Sequence, residues 1–189
     1  MELVSEAIEF AVKAHDGMRR KKSELPYILH PLEVAVIVGT MTSDQNVIAA
    51  AVLHDVVEDT NTNIEEIEKK FGRRVTELVS AETENKREEL PADQTWRIRK
   101  EESLKTLENT TDIDVIIVWL GDKLANMRSI YHEWSKYGDK MWDDFNQKNV
   151  DEQAWYYNSI LKLTERLSDT FAWQEYKTLT KLVFDRGVQ

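Results

Sequence analysis

One segment of the chain, residues 46–59, limits the possible folds more than any other. From Val47 to Leu53 every residue is apolar, so a helix there has no polar face. Such a helix is buried on all sides, and other elements must surround it. The same segment then continues into His54-Asp55-Val56-Val57-Glu58-Asp59. The sequence therefore predicts ionisable groups at the end of a buried helix.

The remaining sequence predicts an all-α fold in one domain. Only six Gly and three Pro occur in 189 residues. No segment alternates polar and apolar residues as a half-buried strand does, whereas several repeat apolar residues at helical spacing. Ser43 or Asp44 can cap the helix that runs through Glu58 or Asp59. Other helices are expected from about Ile8 to His15, from Pro31, from a cap at Thr62 or Asn63 to Gly72, and near 94–108, 113–135, 151–168 and 172–185. A charged stretch without periodicity, residues 82–92, predicts a mobile loop.

Composition excludes several classes of function. The chain has 25 Lys and Arg against 35 Asp and Glu, a formal charge of −10, which argues against a general binder of nucleic acid polymers. It has no cysteine, so thiolate catalysis, zinc fingers and iron–sulfur clusters are excluded. The N-terminus does not resemble a signal peptide, and no apolar run approaches the roughly 20 residues that span a bilayer. A cytoplasmic protein without a membrane partner is expected.

Helical spacing gathers the ionisable residues of the central segment into one patch. Residues four apart lie one turn above each other, so His54 stacks with Glu58 and Asp55 with Asp59 if the helix continues that far. Carboxylates that leave water there need to be paired, hydrated or bound to a metal.

Two other polar positions share this character. The apolar run 113–120 leads into Gly121-Asp122-Lys123-Leu124-Ala125-Asn126, and His30 lies between Pro26 and Pro31. Each feature alone has a structural explanation, such as a surface salt bridge or a histidine with an ordinary hydrogen bond. Two histidines and two aspartates at such positions together favour a metal site with mixed nitrogen and oxygen ligands.

These residues also resemble a known family. His30, the string His54-Asp55-Val56-Val57-Glu58-Asp59-Thr60 and the string 120–128 are similar to the HD-domain hydrolases of the RelA/SpoT family. Within that family the chain resembles the stand-alone small alarmone hydrolases, which remove the 3′-pyrophosphate of (p)ppGpp. The resemblance covers residues 5–132. It implies one HD-domain helical bundle across 1–189, with the metal-site core at 5–132 and C-terminal helices at 137–185.

The resemblance implies a role for each residue of this core. His30, His54, Asp55 and Asp122 would hold one divalent ion, usually manganese in this family. Two imidazoles and two carboxylates independently suit Mn²⁺, Fe²⁺, Co²⁺, Ni²⁺ or Zn²⁺ and argue against Mg²⁺ and Ca²⁺. Glu58 matches the residue that orients or deprotonates the attacking water, and Asp59 matches its acid/base partner.

Substrate binding is expected from residues outside the ligand set. The basic residues Arg20, Lys21 and Lys22 would attract the phosphates of a nucleotide, although a solvated run of charge is the alternative explanation. Asn126 matches the residue near the nucleoside, and Tyr156 or Tyr157 would help close the base pocket. His15 is expected to be a core histidine or to support a ligand.

The sequence departs from the family pattern at three places. Lys21-Lys22-Ser23-Glu24-Leu25 stands where the family has Arg-Lys-Ser-Gly, and Trp119-Leu120-Gly121-Asp122 stands where it has Lys-Leu-Ala-Asp. After Val79, Ser80-Ala81-Glu82-Thr83-Glu84-Asn85 stands where the family has Gly-Val-Thr-Lys-Leu. The departures are expected near the base and ribose, so the reaction type is better defined than the substrate.

Three functions therefore stay open at this stage. The first is hydrolysis of (p)ppGpp, and the second is hydrolysis of another phosphorylated nucleotide. The third is a non-catalytic module that binds a metal or nucleotide, which the intact Glu58-Asp59 pair disfavours. An oligomer is possible.

Overall fold

The computed structural model describes residues 2–20, 24–87 and 89–185, and every named element in these ranges is helical. The all-α prediction is confirmed. Two short 3-10 helices, Gly138–Asp144 and Glu165–Leu167, accompany the α-helices. Within the same ranges, no helix is both long enough and apolar enough to cross a membrane. The α-helices are α1 (Leu3–Ala14), α2 (Leu29–Gly39), α3 (Gln45–Leu53), α4 (Val56–Asp59), α5 (Ile64–Phe71), α6 (Arg73–Glu82), α7 (Ala92–Asn109), α8 (Ile113–Tyr137), α9 (Val150–Leu163) and α10 (Phe171–Phe184).

The chain divides into two compact units. The first unit contains the residues up to Thr83 together with Asp112–Asp122, and the second contains Glu84–Thr111 together with the residues from Lys123 onward. The boundary between Asp122 and Lys123 falls inside α8. Assignment of residues 1–189 to one domain stays a prediction.

Helix α3 is the buried centre of the first unit, as its sequence predicts. Val47 and each residue from Ala49 to Leu53 are 0% exposed. The helix packs against α1, α2 and α6, which cover its different sides. Asp44 begins it by accepting a hydrogen bond from the amide of Asn46 at 2.8 Å. The predicted Asp44 cap is therefore confirmed.

The prediction of one unbroken helix through Glu58 or Asp59 is wrong. Helix α3 ends at Leu53, and the four-residue helix α4 follows from Val56 to Asp59. The Nδ1 atom of His54 lies 2.8 Å from the carbonyl oxygen of Ala51. In a continuous helix that carbonyl accepts from the amide of Asp55. The imidazole thus competes with the backbone for one acceptor at the point where the helix is interrupted.

The interruption only partly changes the predicted stacking. His54 and Asp55 keep right-handed helical backbone angles, with φ and ψ of −55° and −40° for His54 and −89° and −7° for Asp55. The amide of Asp59 still donates to the carbonyl of Asp55 at 2.9 Å. Asp55 and Asp59 therefore remain one turn apart, while the Nδ1 atom of His54 makes its hydrogen bond with the carbonyl of Ala51.

The next helix pair follows the predicted capping pattern. Asn63 accepts from the amide of Glu66, and the Glu66 carboxylate accepts from the amide of Asn63, so the two residues form a capping box at the start of α5. Gly72 separates α5 from α6 at a φ of +82°, in the left-handed region that favours glycine. This pair packs on the buried α3 through α6.

Candidate metal centre

Four side chains from three parts of the first unit meet at one place. His30 is the second residue of α2, His54 and Asp55 occupy the break between α3 and α4, and Asp122 lies in α8. The exposed fraction is 5% for His30, 1% for His54 and 4% for Asp122, and Asp55 is half-buried. We call these four residues the ligand cluster.

The distances between the donor atoms fit ligands that share one ion. The Nε2 atom of His30 lies 3.0 Å from Oδ1 of Asp122 and 3.5 Å from Oδ2 of Asp55. The Nε2 atom of His54 lies 3.1 Å from Oδ2 of Asp55 and 3.6 Å from Oδ1 of Asp122. Atoms bound at about 2.1 Å from one ion, at angles of about 90–110°, are separated by about 3.0–3.4 Å. Three of the four residues, His30, His54 and Asp122, offer ligand atoms that all lie within 4.8 Å of one another.

The hydrogen bond of His54 determines which of its nitrogens is available. Its Nδ1 atom faces the Ala51 carbonyl, so Nδ1 carries the proton that is donated and Nε2 keeps its lone pair. That Nε2 atom is buried and, among the described residues, has no hydrogen-bond partner despite the two carboxylates beside it. A buried acceptor nitrogen of this kind fits a metal ligand.

The field inside the cluster favours a cation. Burial alone would lower the pKa of His54, but the charge of Asp55 and the contact with Asp122 raise it well above its usual value. Burial would raise the pKa of Asp55, but the charge and the contact of His54 outweigh burial and hold that pKa well below its usual range. A divalent metal satisfies the same field without protonating the imidazoles. The residues therefore fit the metal site that the sequence predicts.

The start of α8 is held in place by an ion-pair group. Arg74 of α6 donates to Asp112 at 2.6 Å and 3.0 Å and to Asp114 at 2.5 Å. The two carboxylates raise the pKa of Arg74, and the hydrogen bonds of Arg74 lower the pKa of Asp112. This clamp fixes the first turn of the helix that carries Asp122.

Gly121 lets α8 approach α2 closely beside the ligand cluster. A Cβ atom at Gly121 would lie 2.6 Å from Cγ2 of Val38 and 3.4 Å from Cγ1 of Val34. Trp119, two residues earlier in α8, is 2% exposed and donates from its indole to the carbonyl of Ala81 at 3.3 Å. The Trp119 and Gly121 departures from the family pattern therefore serve packing in the first unit.

Tyr27 is part of this site, although the sequence reasoning did not select it. Its hydroxyl lies 2.7 Å from Oδ2 of Asp55 and 2.7 Å from Oδ2 of Asp59. Burial raises the pKa of Tyr27 far above its usual value, and the charges of Asp55 and Asp59 raise it further, so the hydroxyl stays protonated. Its position in the string Pro26-Tyr27-Ile28-Leu29-His30-Pro31 was the available signal, because the string places it three residues before His30, a predicted metal ligand.

The other predicted residues of the first unit lie nearby in different settings. Glu58 and Asp59 are both half-buried in α4. His15 is 3% exposed, its ring centroid lies 5.0 Å from that of Tyr27, and burial lowers its pKa. Within the described part of the chain, neither ring nitrogen of His15 has a hydrogen-bond partner. The guanidinium carbon of Arg20 lies 5.9 Å from the centroid of the Tyr27 ring.

The predicted substrate-binding residues are only partly placed by these observations. Lys21 and Lys22 lie outside the described residues. Asn126 belongs to the second unit and is half-buried in α8, one turn after Asp122. Tyr156 and Tyr157, also in the second unit, are 3% and 8% exposed. Their substrate roles stay predictions.

Both tyrosines pack among other side chains of the second unit. The ring centroid of Tyr156 lies 5.9 Å from that of Trp96, and the Nζ atom of Lys100 lies 4.9 Å from the Tyr156 centroid. The Tyr157 ring stacks on Phe184 at 5.8 Å.

Comparisons with known proteins agree with this arrangement. The family model for the HD domain matches residues 7–142, a range that includes all four members of the ligand cluster. A guanosine-3′,5′-bis(diphosphate) 3′-pyrophosphohydrolase of Aquifex aeolicus is 38% identical over 130 residues, which are 69% of this chain and 18% of that protein. A probable enzyme of the same name from Synechocystis is 40% identical over 129 residues, which are 68% of this chain and 17% of that protein. The chain thus spans less than a fifth of the length of these two relatives.

Two solved structures resemble the fold of the chain. The Listeria monocytogenes protein lmo0812 superposes with a TM-score of 0.72 at 30% identity, over 83% of this chain and 99% of that one. A metazoan orthologue of SpoT, described as hydrolysing ppGpp, superposes with a TM-score of 0.74 at 24% identity, over 96% of each chain. At 24% identity, the similarity to the second structure shows a shared fold only.

Proposed function

Because the chain belongs to the HD domain family, we propose that it is a metal-dependent phosphohydrolase that removes the 3′-pyrophosphate of (p)ppGpp. The observation that carries the proposal is the convergence of the ligand cluster, in which each histidine Nε2 atom lies 3.0–3.6 Å from an oxygen of Asp55 and an oxygen of Asp122. The proposed substrate is supported by the names of the Aquifex and Synechocystis relatives, whose matches cover 69% and 68% of this chain. The products would be GDP or GTP and pyrophosphate.

We propose Mn²⁺ as the cofactor, held by His30, His54, Asp55 and Asp122. The mixed nitrogen and oxygen donor set suits a first-row transition ion. When bound, such an ion supplies a Lewis acid and lowers the pKa of water from about 15.7 toward 7. The burial of His30, His54 and Asp122 strengthens this effect, because buried charges are poorly screened.

The reaction requires one proton to be removed and one to be delivered. The oxygen of water forms a bond to the phosphorus next to the ribose, and the bond from that phosphorus to the 3′ oxygen breaks. We assign removal of the proton of water to Glu58 and delivery of a proton to the 3′ oxygen to Asp59. Asp59 is held one hydroxyl away from Asp55, which supports its place beside the reacting groups.

Cationic and polar side chains would bind the nucleotide. Arg20, close to the ring of Tyr27, supports a phosphate site at this end of the first unit, and Lys21 and Lys22 would add charge to it. Asn126 would contact the nucleoside, and Tyr156 or Tyr157 the base. The substrate in this proposal is a small phosphorylated nucleotide, in keeping with the net charge of −10.

A product assay over a panel of nucleotides tests the proposal. The purified protein is incubated with Mn²⁺ and with ppGpp, pppGpp, GTP, ATP or NADP⁺, and the products are separated by ion-exchange chromatography. We expect GDP and pyrophosphate in equal amounts from ppGpp, and no product after removal of the metal by a chelator. Hydrolysis of another nucleotide alone would identify a different phosphohydrolase. No turnover of any nucleotide with Mn²⁺, Fe²⁺, Co²⁺, Ni²⁺ or Zn²⁺ would contradict an enzymatic function.

A Glu58→Gln variant tests the role of that carboxylate separately from metal binding. We expect kcat to fall by about 10²–10⁴-fold, the usual contribution of a general acid or base, while Mn²⁺ binds with unchanged affinity. Mn²⁺ affinity is measured by competition with a chelator, and kcat by release of pyrophosphate. Glu65→Gln is the matched control, because Glu65 is an exposed glutamate in the first turn of α5. Full activity of Glu58→Gln would show that the assigned role is wrong.

A further inference from the structure

The hydroxyl of Tyr27 connects the ligand cluster to the acid/base pair. Its oxygen lies 2.7 Å from Oδ2 of Asp55 and 2.7 Å from Oδ2 of Asp59, the usual length of an O–H···O hydrogen bond. The Oδ2 atom of Asp55 is the same atom that approaches the Nε2 atoms of His54 and His30, at 3.1 Å and 3.5 Å. One phenol therefore contacts a predicted ligand atom and a predicted acid/base group together.

Tyr27 is itself held in a fixed position. Its amide donates to the carbonyl of Met18 at 2.9 Å, and its carbonyl accepts from the amide of His30 at 2.9 Å. Its ring lies against two imidazoles, with centroids 5.0 Å from His15 and 6.1 Å from His30. A ring fixed at its backbone and along its sides can position the groups that its hydroxyl contacts.

We infer that Tyr27 is a positioning residue. Its hydroxyl fixes the Asp55 carboxylate toward the metal and bridges that carboxylate to Asp59. The terminal torsion of an aspartate is broad, so a carboxylate without an outer partner can rotate its oxygens. A hydrogen bond to Oδ2 limits that rotation and leaves the other lone pair of the same oxygen for the metal. The role of Tyr27 in holding Asp59 rests on the proposed function. Its role in holding Asp55 for the metal does not.

The hydroxyl also sets the separation of the two carboxylates. Two contacts of 2.7 Å keep the two Oδ2 atoms no more than about 5.4 Å apart. Direct contact of two ionised carboxylates would be repulsive, and a phenol between them separates them without added charge. Its one proton is donated to one carboxylate, and its oxygen accepts from the other when that carboxyl is protonated. Asp59 is thereby kept next to the ligand cluster without joining it.

A Tyr27→Phe variant removes the hydroxyl and keeps the ring. We expect the Kd for Mn²⁺, measured without substrate by competition with a chelator, to rise about 10–100-fold, as for loss of other groups that hold metal ligands. At saturating Mn²⁺ we expect kcat to fall while KM for ppGpp changes less than about twofold, because the residue is not assigned to substrate binding. The EPR spectrum of bound Mn²⁺ should also change, since the Asp55 ligand is freed.

Tyr176→Phe is the matched control for metal affinity and stability. Tyr176 is also buried, and its hydroxyl donates to the carbonyl of Tyr157 at 3.0 Å. Both variants therefore lose one buried phenolic hydroxyl together with its hydrogen bonding, but only Tyr27→Phe should change the Kd for Mn²⁺. A Tyr27→Phe protein with lower thermal stability but unchanged Mn²⁺ affinity and unchanged kcat would overturn the inference.

A double-mutant cycle with Asp59→Asn separates the effect of the contact with Asp59 from the effect of the contact with Asp55. We expect the Tyr27→Phe effect on kcat to shrink in the Asp59→Asn background, while its effect on the Kd for Mn²⁺ persists. Effects on kcat that add fully would contradict action through Asp59. The wild-type protein could turn over no nucleotide while Tyr27→Phe still weakens Mn²⁺ binding. In that case the proposed function fails, and the inferred role of Tyr27 in holding Asp55 for the metal stands.

Discussion

Each unit of this protein buries a cluster of charged groups, but the two clusters are organised differently. In the second unit, the Glu84 carboxylate accepts hydrogen bonds from Arg99 at 2.9 Å, Lys100 at 2.6 Å and Ser103 at 2.9 Å. Donors face acceptors there, and cations face an anion. In the ligand cluster of the first unit, the Nε2 atoms of His30 and His54 face the carboxylate oxygens of Asp55 and Asp122 at 3.0–3.6 Å.

The protonation of the two clusters shows the same contrast. Burial would raise the pKa of Glu84, but the charge and hydrogen bond of Lys100 lower it below its usual value. The Glu84 group is thus satisfied by the protein's own cations. In the ligand cluster, the carboxylates instead raise the pKa of His54, a group that is neutral when it ligates a metal. Acceptor atoms that converge in a buried cluster need a bound cation or added protons to balance their charge. A buried ion pair is balanced by its own two charges.

Loss of a ligand should have the largest effect and should separate the two clusters most clearly. We expect Asp122→Ala to lose Mn²⁺ binding and to lower turnover by about 10³-fold or more, since a catalytic metal supplies several kcal/mol. The gain in Tm that Mn²⁺ gives the wild-type protein should disappear, because a ligand stabilises only a fold that binds it. Metal content by elemental analysis and Tm with and without Mn²⁺ measure this. Asp169→Ala, in an exposed turn before α10, is the control and should keep both.

Loss of a cation from the Glu84 cluster, which consists of Glu84, Arg99, Lys100 and Ser103, should have the opposite effect. The fold should lose stability, and metal binding should stay intact. We expect Lys100→Met to lower the free energy of unfolding by about 2–3 kcal/mol, less than for an ion left wholly unpaired because Arg99 still binds Glu84. Denaturant unfolding measures this, and the Kd for Mn²⁺ should be unchanged. Lys105→Met, an exposed lysine of the same helix, should change stability by less than about 0.5 kcal/mol.

The pH dependence of the Lys100→Met effect has a defined sign. The folded pKa of Glu84 lies below its unfolded value, so its stabilising contribution is present above the unfolded pKa and is lost as pH falls through the folded pKa. Lys100 is the main group that lowers that pKa. The stability difference between the wild type and Lys100→Met should therefore be larger at pH 7 than at acidic pH. A difference that grows on acidification would contradict this account.

Local patterns in the sequence predicted much of the fold and the residues that meet in the ligand cluster. The all-apolar run of α3 required burial, and Asp44, Asn63 and Gly72 mark helix ends where their side-chain or backbone chemistry requires them. Ionisable residues at the ends of apolar helices indicated a metal site because their burial alone would be unfavourable.

Local sequence patterns do not predict the contacts that form only when the chain is folded. The break after Leu53 coincides with a hydrogen bond between the His54 imidazole and the Ala51 carbonyl, which hydrophobic spacing does not reveal. Tyr27 reaches Asp55 and Asp59 across 28 and 32 residues of sequence. Its place three residues before His30 is the local signal, and that signal specifies neither contact. Gly121 read as a departure from a family pattern, whereas its role is the close approach of two helices.

This close approach gives the smallest expected effect and tests how far the ligand cluster depends on helix spacing. His30 and Asp122 lie on α2 and α8, whereas Arg99, Lys100 and Ser103 of the Glu84 cluster all lie on α7. A Cβ at position 121 would lie 2.6 Å from the Val38 side chain, which is β-branched and cannot easily move away. The ligand cluster should therefore be sensitive to a change at Gly121 that leaves the Glu84 cluster unaffected.

We expect Gly121→Ala to lower the free energy of unfolding by about 1 kcal/mol. Overpacking costs about 1–3 kcal/mol, and the better helix propensity of alanine offsets up to about 1 kcal/mol of it. The Kd for Mn²⁺ should rise a few-fold as Asp122 moves relative to His30. Gly39→Ala is the matched control, because a Cβ there meets nothing within 4 Å, and it should leave stability equal or slightly higher. If Gly121→Ala weakens neither the fold nor Mn²⁺ binding, then helix spacing does not set the geometry of the ligand cluster, and the Asp122 side chain adjusts on its own.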